Sequence, residues 1–387
     1  MGQEVLSDEI YSTQVEYYMR ECFDLAKKSL GRTSPNPAVG AIVLDKNGMP
    51  VGKGFHKKAG LEHAEVLAIR EAGDLAKDGT LIINLEPCCH IGKTPSCVDL
   101  ILKTQIKEVI FSNYDPNPLV NGKGEKILLE NNIKVIPNVL DSLGLETNKF
   151  FFKWIKTKLP WVTLKQAQTL DGKVASGSGK REWISSENSR CEVHKLRNIY
   201  DAVLVGANTV QIDNPELTVR NLNGVNGENE NEIEVRNPTR IVLDKNLITK
   251  PNSNVYKNDA LVFLITKKGH SEKKINNYIS FNEKLTIIEL ADINLGRFDL
   301  KDLFLELSKR NILSVLVEAG PNLATELITN NLIDEYILFI SPKFLSDKNG
   351  VPSIKIDKSQ NIKEFPEFNL FNYKATGNDL MVSLRTS

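Results

Sequence analysis

Short apolar, β-prone runs alternate with helix-forming stretches in two successive series, and the break between them falls at residues 145–160. This feature constrains the fold most. Strands that alternate with helices pair into mostly parallel sheets covered by helices, so the chain reads as two α/β domains in tandem. The length of 387 residues agrees, because domains usually hold about 100–200 residues.

In the first series, Tyr11–Leu30 reads as a helix, with Ser7 or Asp8 as upstream caps. Ala38–Asp45 and Val51–His56 read as strands joined by the turn Lys46-Asn47-Gly48. His63–Ala72 is rich in Ala, Glu, Leu and Ile and reads as a helix. Strands follow at Leu81–Leu85, Val109–Ser112 and Ile133–Ile136, with helices at Val98–Lys103 and Lys123–Glu130. Leu145–Pro160 reads as a linker. The second series places strands at Trp161–Lys165, Ala202–Gly206, Ile241–Asp244, Leu261–Thr266, Val315–Glu318 and Tyr336–Ile340. Its helices are Glu187–Ile199, Leu300–Arg310 and Ala324–Asn330. Asn221–Pro238 is dense in Asn, Glu and Gly and reads as a loop. The domains so drawn span residues 10–155 and 160–387.

Charge and hydropathy exclude several classes. Lys+Arg and Asp+Glu both number 49, which lacks the basic excess that nucleic-acid binding leaves in a sequence. No apolar run approaches the roughly 18 residues of a membrane span, and Met1–Asp8 does not read as a signal peptide. A cytoplasmic location follows, where thiols stay reduced. The five cysteines, Cys22, Cys88, Cys89, Cys97 and Cys191, are an odd count that argues against a disulfide framework.

Three features carry chemistry. His63-Ala64-Glu65 opens a helix, Glu86-Pro87-Cys88 ends a strand, and Cys97 opens another helix. Catalytic zinc takes three protein ligands and leaves one position for water. Two thiolates and an imidazole supply such a set, and zinc then makes hydroxide available near neutral pH. Glu65 sits two residues from His63, close enough to move protons without ligating. Zinc nucleobase deaminases use this logic, with a His-x-Glu and a Pro-Cys-x-x-Cys signature. Here eight residues, not two, separate Cys88 from Cys97. On proximity alone Cys89 and His90 are rival ligands. Lys93 and Thr94 are donors beside a helix start, read equally as a phosphate site or a solvated loop.

The runs Thr33-Ser34-Pro35-Asn36-Pro37-Ala38-Val39-Gly40, His63-Ala64-Glu65-Val66 and Glu86-Pro87-Cys88-Cys89-His90-Ile91-Gly92-Lys93-Thr94-Pro95-Ser96-Cys97 resemble the deaminase half of the bifunctional deaminase/reductases of riboflavin biosynthesis. In that family the longer cysteine spacing is normal. The resemblance implies an N-terminal cytidine-deaminase-like three-layer α/β/α domain. Zinc would lie on His63, Cys88 and Cys97, with Glu65 as proton carrier. Asn36, His56, His90, Lys93 and Asn117 would line the pyrimidine and ribose-phosphate pocket. The family usually has Ser where this chain has Cys89.

The second half continues the resemblance. Lys165-Gln166-Ala167-Gln168-Thr169-Leu170-Asp171-Gly172-Lys173, Trp183-Ile184-Ser185, Gly206-Ala207-Asn208-Thr209-Val210, Asp213-Asn214-Pro215 and Leu217-Thr218-Val219-Arg220 come in family order. Glu318-Ala319-Gly320-Pro321-Asn322-Leu323 joins a strand to a helix without a Gly-x-Gly-x-x-Gly fingerprint. The resemblance implies a C-terminal dihydrofolate-reductase-like α/β domain that binds NADPH through Ala167, Trp183, Thr209, Asp213 and Gly320, Pro321, Asn322, Leu323, Ala324, Thr325 and Glu326. Substrate contacts would fall at Arg181, Arg197, Leu217, Arg220 and Glu318, with Lys165 beside the reacting ribose. Arg181 stands where family members often carry Ser; it can bind substrate phosphate, point to solvent, or mark an altered reductase. The implied reaction is zinc-hydroxide deamination of a diaminopyrimidinone ribosylamine phosphate, followed by NADPH reduction of ribosyl to ribityl. The implied assembly is a homo-oligomer formed through the reductase half. Three rivals stand beside this reading: a deaminase with a degenerate reductase, a nucleic-acid-editing deaminase, and a zinc scaffold closed by a fourth ligand such as Cys89.

Overall fold

The computed structural model describes residues 2–89, 96–178, 183–220, 222, 235–257, 260–293, 297–355 and 366–386. The chain divides into two compact units at Lys158 and Leu159.

The first unit runs α1 (Gly2–Lys27), β1 (Gly40–Leu44), β2 (Pro50–Phe55), α2 (Ala64–Ala72), β3 (Thr80–Leu85), α3 (Cys97–Lys103), β4 (Glu108–Asn113), α4 (Lys123–Glu130), β5 (Lys134–Ile136), α5 (Asp141–Thr147) and α6 (Lys149–Thr157). Its sheet has the order β2-β1-β3-β4-β5. The expected mostly parallel sheet is corrected here. Only β3, β4 and β5 run parallel, whereas β2-β1 and β1-β3 are antiparallel. A tight turn at Asp45–Gly48 joins β1 to β2, and so short a connection permits only antiparallel pairing.

Alternation along β1 sorts the helices to two faces. Ile42 and Leu44 meet Val15, Met19 and Phe23 of α1. Gly52 and Gly54 of β2 pair with Val43 and Ala41, the residues of the opposite face, and α2 lies there. A side chain at either glycine would run into the backbone of Ala64 or Ala68. The two glycines thus set the depth of α2, the helix that carries Glu65.

Leu145–Pro160 is not a linker. It folds into the end of α5 and into α6, which buries Phe151 and Phe152. The left-handed Lys158, at φ 59°, ends α6. A nine-residue amphipathic helix broken from its predecessor by one Asn carries too short a period to read from sequence.

The second unit runs β6 (Trp161–Thr169), β7 (Lys173–Ala175), α7 (Glu187–Ile199), β8 (Ala202–Gly206), α8 (Ala207–Asp213), β9 (Thr239–Leu243), β10 (Val262–Lys267), α9 (Glu272–Ile279), β11 (Leu285–Leu290), β12 (Asp292–Ile293), β13 (Arg297–Phe298), α10 (Leu300–Lys309), β14 (Ser314–Glu318), α11 (Pro321–Thr329), β15 (Glu335–Ser341), β16 (Val351–Pro352), β17 (Asn369–Thr376) and β18 (Asp379–Arg385). Its main sheet has the order β11-β10-β9-β8-β14-β6-β15-β18-β17. It is parallel from β11 to β15 and antiparallel at β18 and β17. Ala202 and Leu204 face one core with Leu303, Phe304 and Leu327, while Val203 and Val205 face another with Tyr256 and Leu264. Burial on both faces explains the continuous apolar runs of the central strands.

Most of the Asn221–Pro238 loop lies outside the described residues, as do His90, Lys93 and Arg181. Among the described residues, no helix is long and apolar enough to cross a membrane.

Candidate active sites

Three element ends build the first site. His63 is the N-cap residue of α2, with extended backbone and no capping bond from its side chain, so the imidazole is directed elsewhere. Cys88 follows β3, and Cys97 opens α3 behind the N-cap Ser96. His63 Nδ1 lies 3.6 Å from Cys88 Sγ and 3.3 Å from Cys97 Sγ. The ligand atoms of all three residues fall within 4.8 Å of one another. The Cys97 amide also donates to Cys88 Sγ at 3.4 Å. Hydrogen bonds from Cys97 and His63 hold the Cys88 thiol well below its ordinary range. Cys97 is pushed up as the donor to that thiolate and by its burial. Two sulfurs and one imidazole nitrogen fit zinc, and three ligands leave a tetrahedral position open.

Cys89 does not join the cluster. Its thiol turns to the Leu119 carbonyl at 3.7 Å. Glu65 stands in the first turn of α2, 4% exposed, and burial raises its carboxyl pKa, helped by the Cys88 thiolate. His56 is buried alongside, its ring 5.4 Å from that of His63. Its Nδ1 lies 3.0 Å from the Glu62 carbonyl and its Nε2 lies 3.1 Å from Asn36 Nδ2. A carbonyl can only accept and an amide nitrogen can only donate, so both bonds are made by the neutral Nδ1–H tautomer. Burial keeps the His56 pKa low in agreement.

Three supporting residues escaped the sequence reading. Asn148, between α5 and α6, accepts from the Ala38 amide at 2.8 Å and donates to the Ala38 carbonyl at 3.0 Å. Asn84 donates to the same carbonyl at 3.0 Å, so the Asn36–Ala38 loop is pinned from two sides. Buried Glu86 accepts from the amides of Gly122 at 3.0 Å, Asp115 at 3.3 Å and Glu125 at 3.3 Å. It thereby caps α4 from a distance and holds both ends of the turn that carries Asn117. The Asn117 side-chain oxygen accepts from the Leu119 amide at 3.1 Å within that turn. For Glu86 a signal existed, a carboxylate directly before Pro87-Cys88; for Asn148 none did.

The second site is a cavity of about 1120 Å³ at the carboxyl ends of the parallel strands, where ligands of open α/β sheets bind. Lys165, Ala167, Trp183, Thr209, Asp213, Arg197, Leu217, Arg220 and Glu318 all line it. Of the Gly320–Glu326 segment, Gly320, Pro321, Asn322 and Leu323 line the cavity. Ala324 and Thr325 turn into the core, and Thr325 binds the Pro321 carbonyl and the Lys355 amide.

Lys165 and Glu318 are register partners on β6 and β14. Arg197 grips Glu318 with two bonds, Nε to Oε1 at 2.6 Å and Nη2 to Oε2 at 2.9 Å, and donates through Nη1 to the Thr218 carbonyl at 3.0 Å. Much of its donor capacity is thus committed within the protein. Burial works against the Glu318 charge, but Arg197 outweighs it and holds the carboxyl below its ordinary range. Burial lowers the Lys165 pKa, and Arg197 adds to this against the pull of Glu318. Arg220 pairs with Glu216 at 3.0 Å on the exposed rim. Trp183 is 60% exposed, with the Arg190 guanidinium 4.5 Å from its ring centre. His194, another residue the sequence reading missed, lines the cavity and lies 3.0 Å from the Thr218 carbonyl through Nδ1.

The cavity fits a nicotinamide dinucleotide. Its volume suits one, α11 begins at Gly320 without a side-chain cap, and the space over Gly206 and Gly320 is open. Uncapped amides at a helix start favour phosphate.

Fold and sites together define a zinc-dependent deaminase joined to a nicotinamide-dependent reductase. A family model for the cytidine and deoxycytidylate deaminase zinc-binding region matches residues 12–113, and one for the RibD C-terminal domain matches residues 160–382. The riboflavin biosynthesis protein RibD of Aquifex aeolicus (strain VF5) is 37% identical over 365 residues, covering 94% of this chain and 96% of that protein. RibD of Escherichia coli (strain K12) is 35% identical over 375 residues, covering 96% and 99%. The solved structure of Acinetobacter baumannii RibD superposes with a TM-score of 0.84 at 32% identity, over 97% of this chain and 99% of that one. A Thermotoga maritima diaminohydroxyphosphoribosylaminopyrimidine deaminase/5-amino-6-(5-phosphoribosylamino)uracil reductase gives 0.81 at 34% identity, over 97% and 100%. The chain belongs to the RibD family of bifunctional deaminase/reductases of riboflavin biosynthesis, which use zinc and NADPH.

Proposed function

We propose that the chain deaminates a diaminopyrimidinone ribosylamine phosphate and then reduces its ribosyl group to ribityl. The single observation that carries this reading is the convergence of His63, Cys88 and Cys97 within 4.8 Å, in a chain that also holds the Lys165–Glu318 cavity. The deaminase domain is assigned to residues 10–155 and the reductase domain to 160–387.

His63, Cys88 and Cys97 would hold zinc, which would supply a water of lowered pKa as the nucleophile. Glu65, buried beside them, would take a proton from the attacking water and deliver one to the departing ammonia. Asn36 would hold the pyrimidine edge, and the neutral His56 would line the pocket beside it, orienting Asn36 through Nε2 and itself fixed by the Glu62 carbonyl. Asn117, His90 and Lys93 are assigned to the same pocket by the family resemblance, the last two lying outside the described residues.

In the second domain NADPH supplies the hydride. Ala167, Trp183, Thr209, Asp213 and the Gly320–Leu323 turn, which line the cavity, would hold the cofactor. Lys165, whose ammonium burial makes readier to release a proton, would protonate the sugar oxygen as the ribose ring opens. Arg197, Leu217, Arg220 and Glu318 position the ribose phosphate. The exposed edge strand β17, with Leu370, Phe371 and Tyr373 open to solvent, supports pairing with a second copy through the reductase domain. NADPH chemistry and five cysteines without a disulfide fit the cytoplasm.

The test mixes zinc-loaded protein with the diaminopyrimidinone ribosylamine phosphate, with and without NADPH. Ammonia release and loss of nicotinamide absorbance are followed together. Both signals in sequence support the reading. Ammonia without NADPH loss points to an impaired reductase and to Arg181. Neither signal from folded, metal-loaded protein refutes the substrate assignment.

A further inference from the structure

We infer that Gln166 is a positioning residue for cofactor binding, acting through a buried hydrogen-bond relay that fixes the turn opening α11; this rests on the assignment of Gly320–Leu323 to the cofactor. On β6, Val162 and Leu164 pack into the main core, and strand alternation puts Gln166 on the same face. That position calls for a third aliphatic side chain. A polar residue 3% exposed there has to satisfy every one of its donors and acceptors.

It does so with backbone that matters. Gln166 Nε2 donates to the Ala319 carbonyl at 3.3 Å and to the Ser353 carbonyl at 3.1 Å. Its Oε1 accepts from the Tyr336 hydroxyl at 2.7 Å. Two carbonyls on one side fix the orientation of the amide, because carbonyls only accept.

Ala319 joins Glu318, the partner of Arg197, to Gly320, the start of α11. Ser353 belongs to a strap tied at both ends: its amide donates to the Gly172 carbonyl at 3.1 Å, and the Lys355 amide donates to Thr325 Oγ1 at 2.8 Å. Thr325 in turn donates to the Pro321 carbonyl at 2.7 Å. One amide therefore locks the first turn of α11 to β6, where the preceding residue, Lys165, lines the cavity beside Gln166. Without the amide, two half-buried carbonyls and the Tyr336 hydroxyl lose their partner, and the turn relaxes to find others.

The experiment uses the full-length, zinc-loaded protein. NADPH affinity is measured by nicotinamide fluorescence, and KM and kcat by NADPH oxidation with pre-deaminated substrate. Gln166→Leu, nearly equal in volume, raises the dissociation constant and KM for NADPH on the order of tenfold. Its kcat at saturating NADPH stays within about twofold, because the relay sets where the cofactor rests rather than the chemical step. Tyr336→Phe removes one hydroxyl without altering the packing and moves the same two constants in the same direction, about threefold. Unchanged NADPH affinity in folded Gln166→Leu overturns the inference. So does a loss confined to kcat. If Gln166→Leu does not fold, Tyr336→Phe decides, and an unchanged NADPH KM there is equally fatal. Failure of the cofactor assignment itself shows differently: the unsubstituted protein then binds no NADPH.

Discussion

Replacing Gly54 by Ala tests whether β2 sets the position of Glu65, the proposed proton carrier. A Cβ at Gly54 would stand 2.7 Å from the Ala68 nitrogen and 2.7 Å from Leu67 Cβ, and closer still to the Ala64 carbonyl. Ordinary contact begins at 3.4 Å, so α2 has to lift by about 0.7 Å at Ala68 and by more at Ala64. Two of the three obstacles are backbone, so no side-chain rotation relieves them. Overpacking of this kind costs about 1–3 kcal/mol of stability. The effect on catalysis is larger, because Glu65 directly follows Ala64 in the displaced turn. A misplacement of about 1 Å costs on the order of 100-fold in rate. Ammonia release by Gly54→Ala should therefore fall about 100-fold in kcat/KM, while NADPH oxidation with pre-deaminated substrate, catalysed by the other unit, stays at its normal rate. Full ammonia release from this variant would show that α2 accommodates the methyl without moving Glu65, and the positioning role of the two glycines would be wrong.

Glu65→Gln should lower ammonia release by about 10²–10⁴-fold while zinc content, measured by elemental analysis, is retained; an unchanged rate removes Glu65 from the proton path. Arg197→Met leaves Glu318 buried without its partner, a loss of about 3–5 kcal/mol by analogy with broken buried pairs, and should lower the melting temperature and abolish NADPH oxidation. Wild-type melting temperature in that variant would show that the pair contributes nothing to stability. Burial depresses the His56 pKa below 6.5, so the folded protein binds fewer protons than the unfolded chain just below that value. The His56 contribution is complete above 6.5 and is lost as pH falls through that value towards the folded pKa. His56→Gln should therefore flatten the decline of melting temperature between about pH 7 and pH 5; an identical slope in both proteins refutes this.

The central strands were legible because burial on both faces makes them continuous apolar runs, as in Ala202–Gly206 and Ser314–Glu318. The metal cluster was legible because His63, Cys88 and Cys97 each fall where a strand or helix ends, and ends are what composition marks best. Strand β17 was not, since nearly every residue of Asn369–Thr376 is exposed and no alternation survives. Helix α8 was hidden because its seven residues directly follow β8 with no turn residue beyond Gly206. The antiparallel hairpin at β1 was visible as a turn, but its effect on the sheet order depends on pairing between β1 and β3, which no local pattern records. Partners distant in sequence, such as Arg197 with Glu318 or Gln166 with Tyr336, were invisible for the same reason.

The Asn148 clamp has a bearing on how the protein matures during synthesis. Ala38 is emitted from the ribosome 110 residues before the side chain that fastens it. Synthesis proceeds from the N-terminus at about 5–20 residues per second, so the loop bearing Asn36 has only the Asn84 half of its clamp for several seconds after His63, Cys88 and Cys97 are all available. A nascent chain stalled at residue 113, where the zinc-binding family match ends, would hold all three proposed metal ligands and Asn84 yet lack the Asn148 half of the clamp on the Asn36 loop. A self-sufficient fragment has to extend through α6 to Lys158, the boundary of the first compact unit.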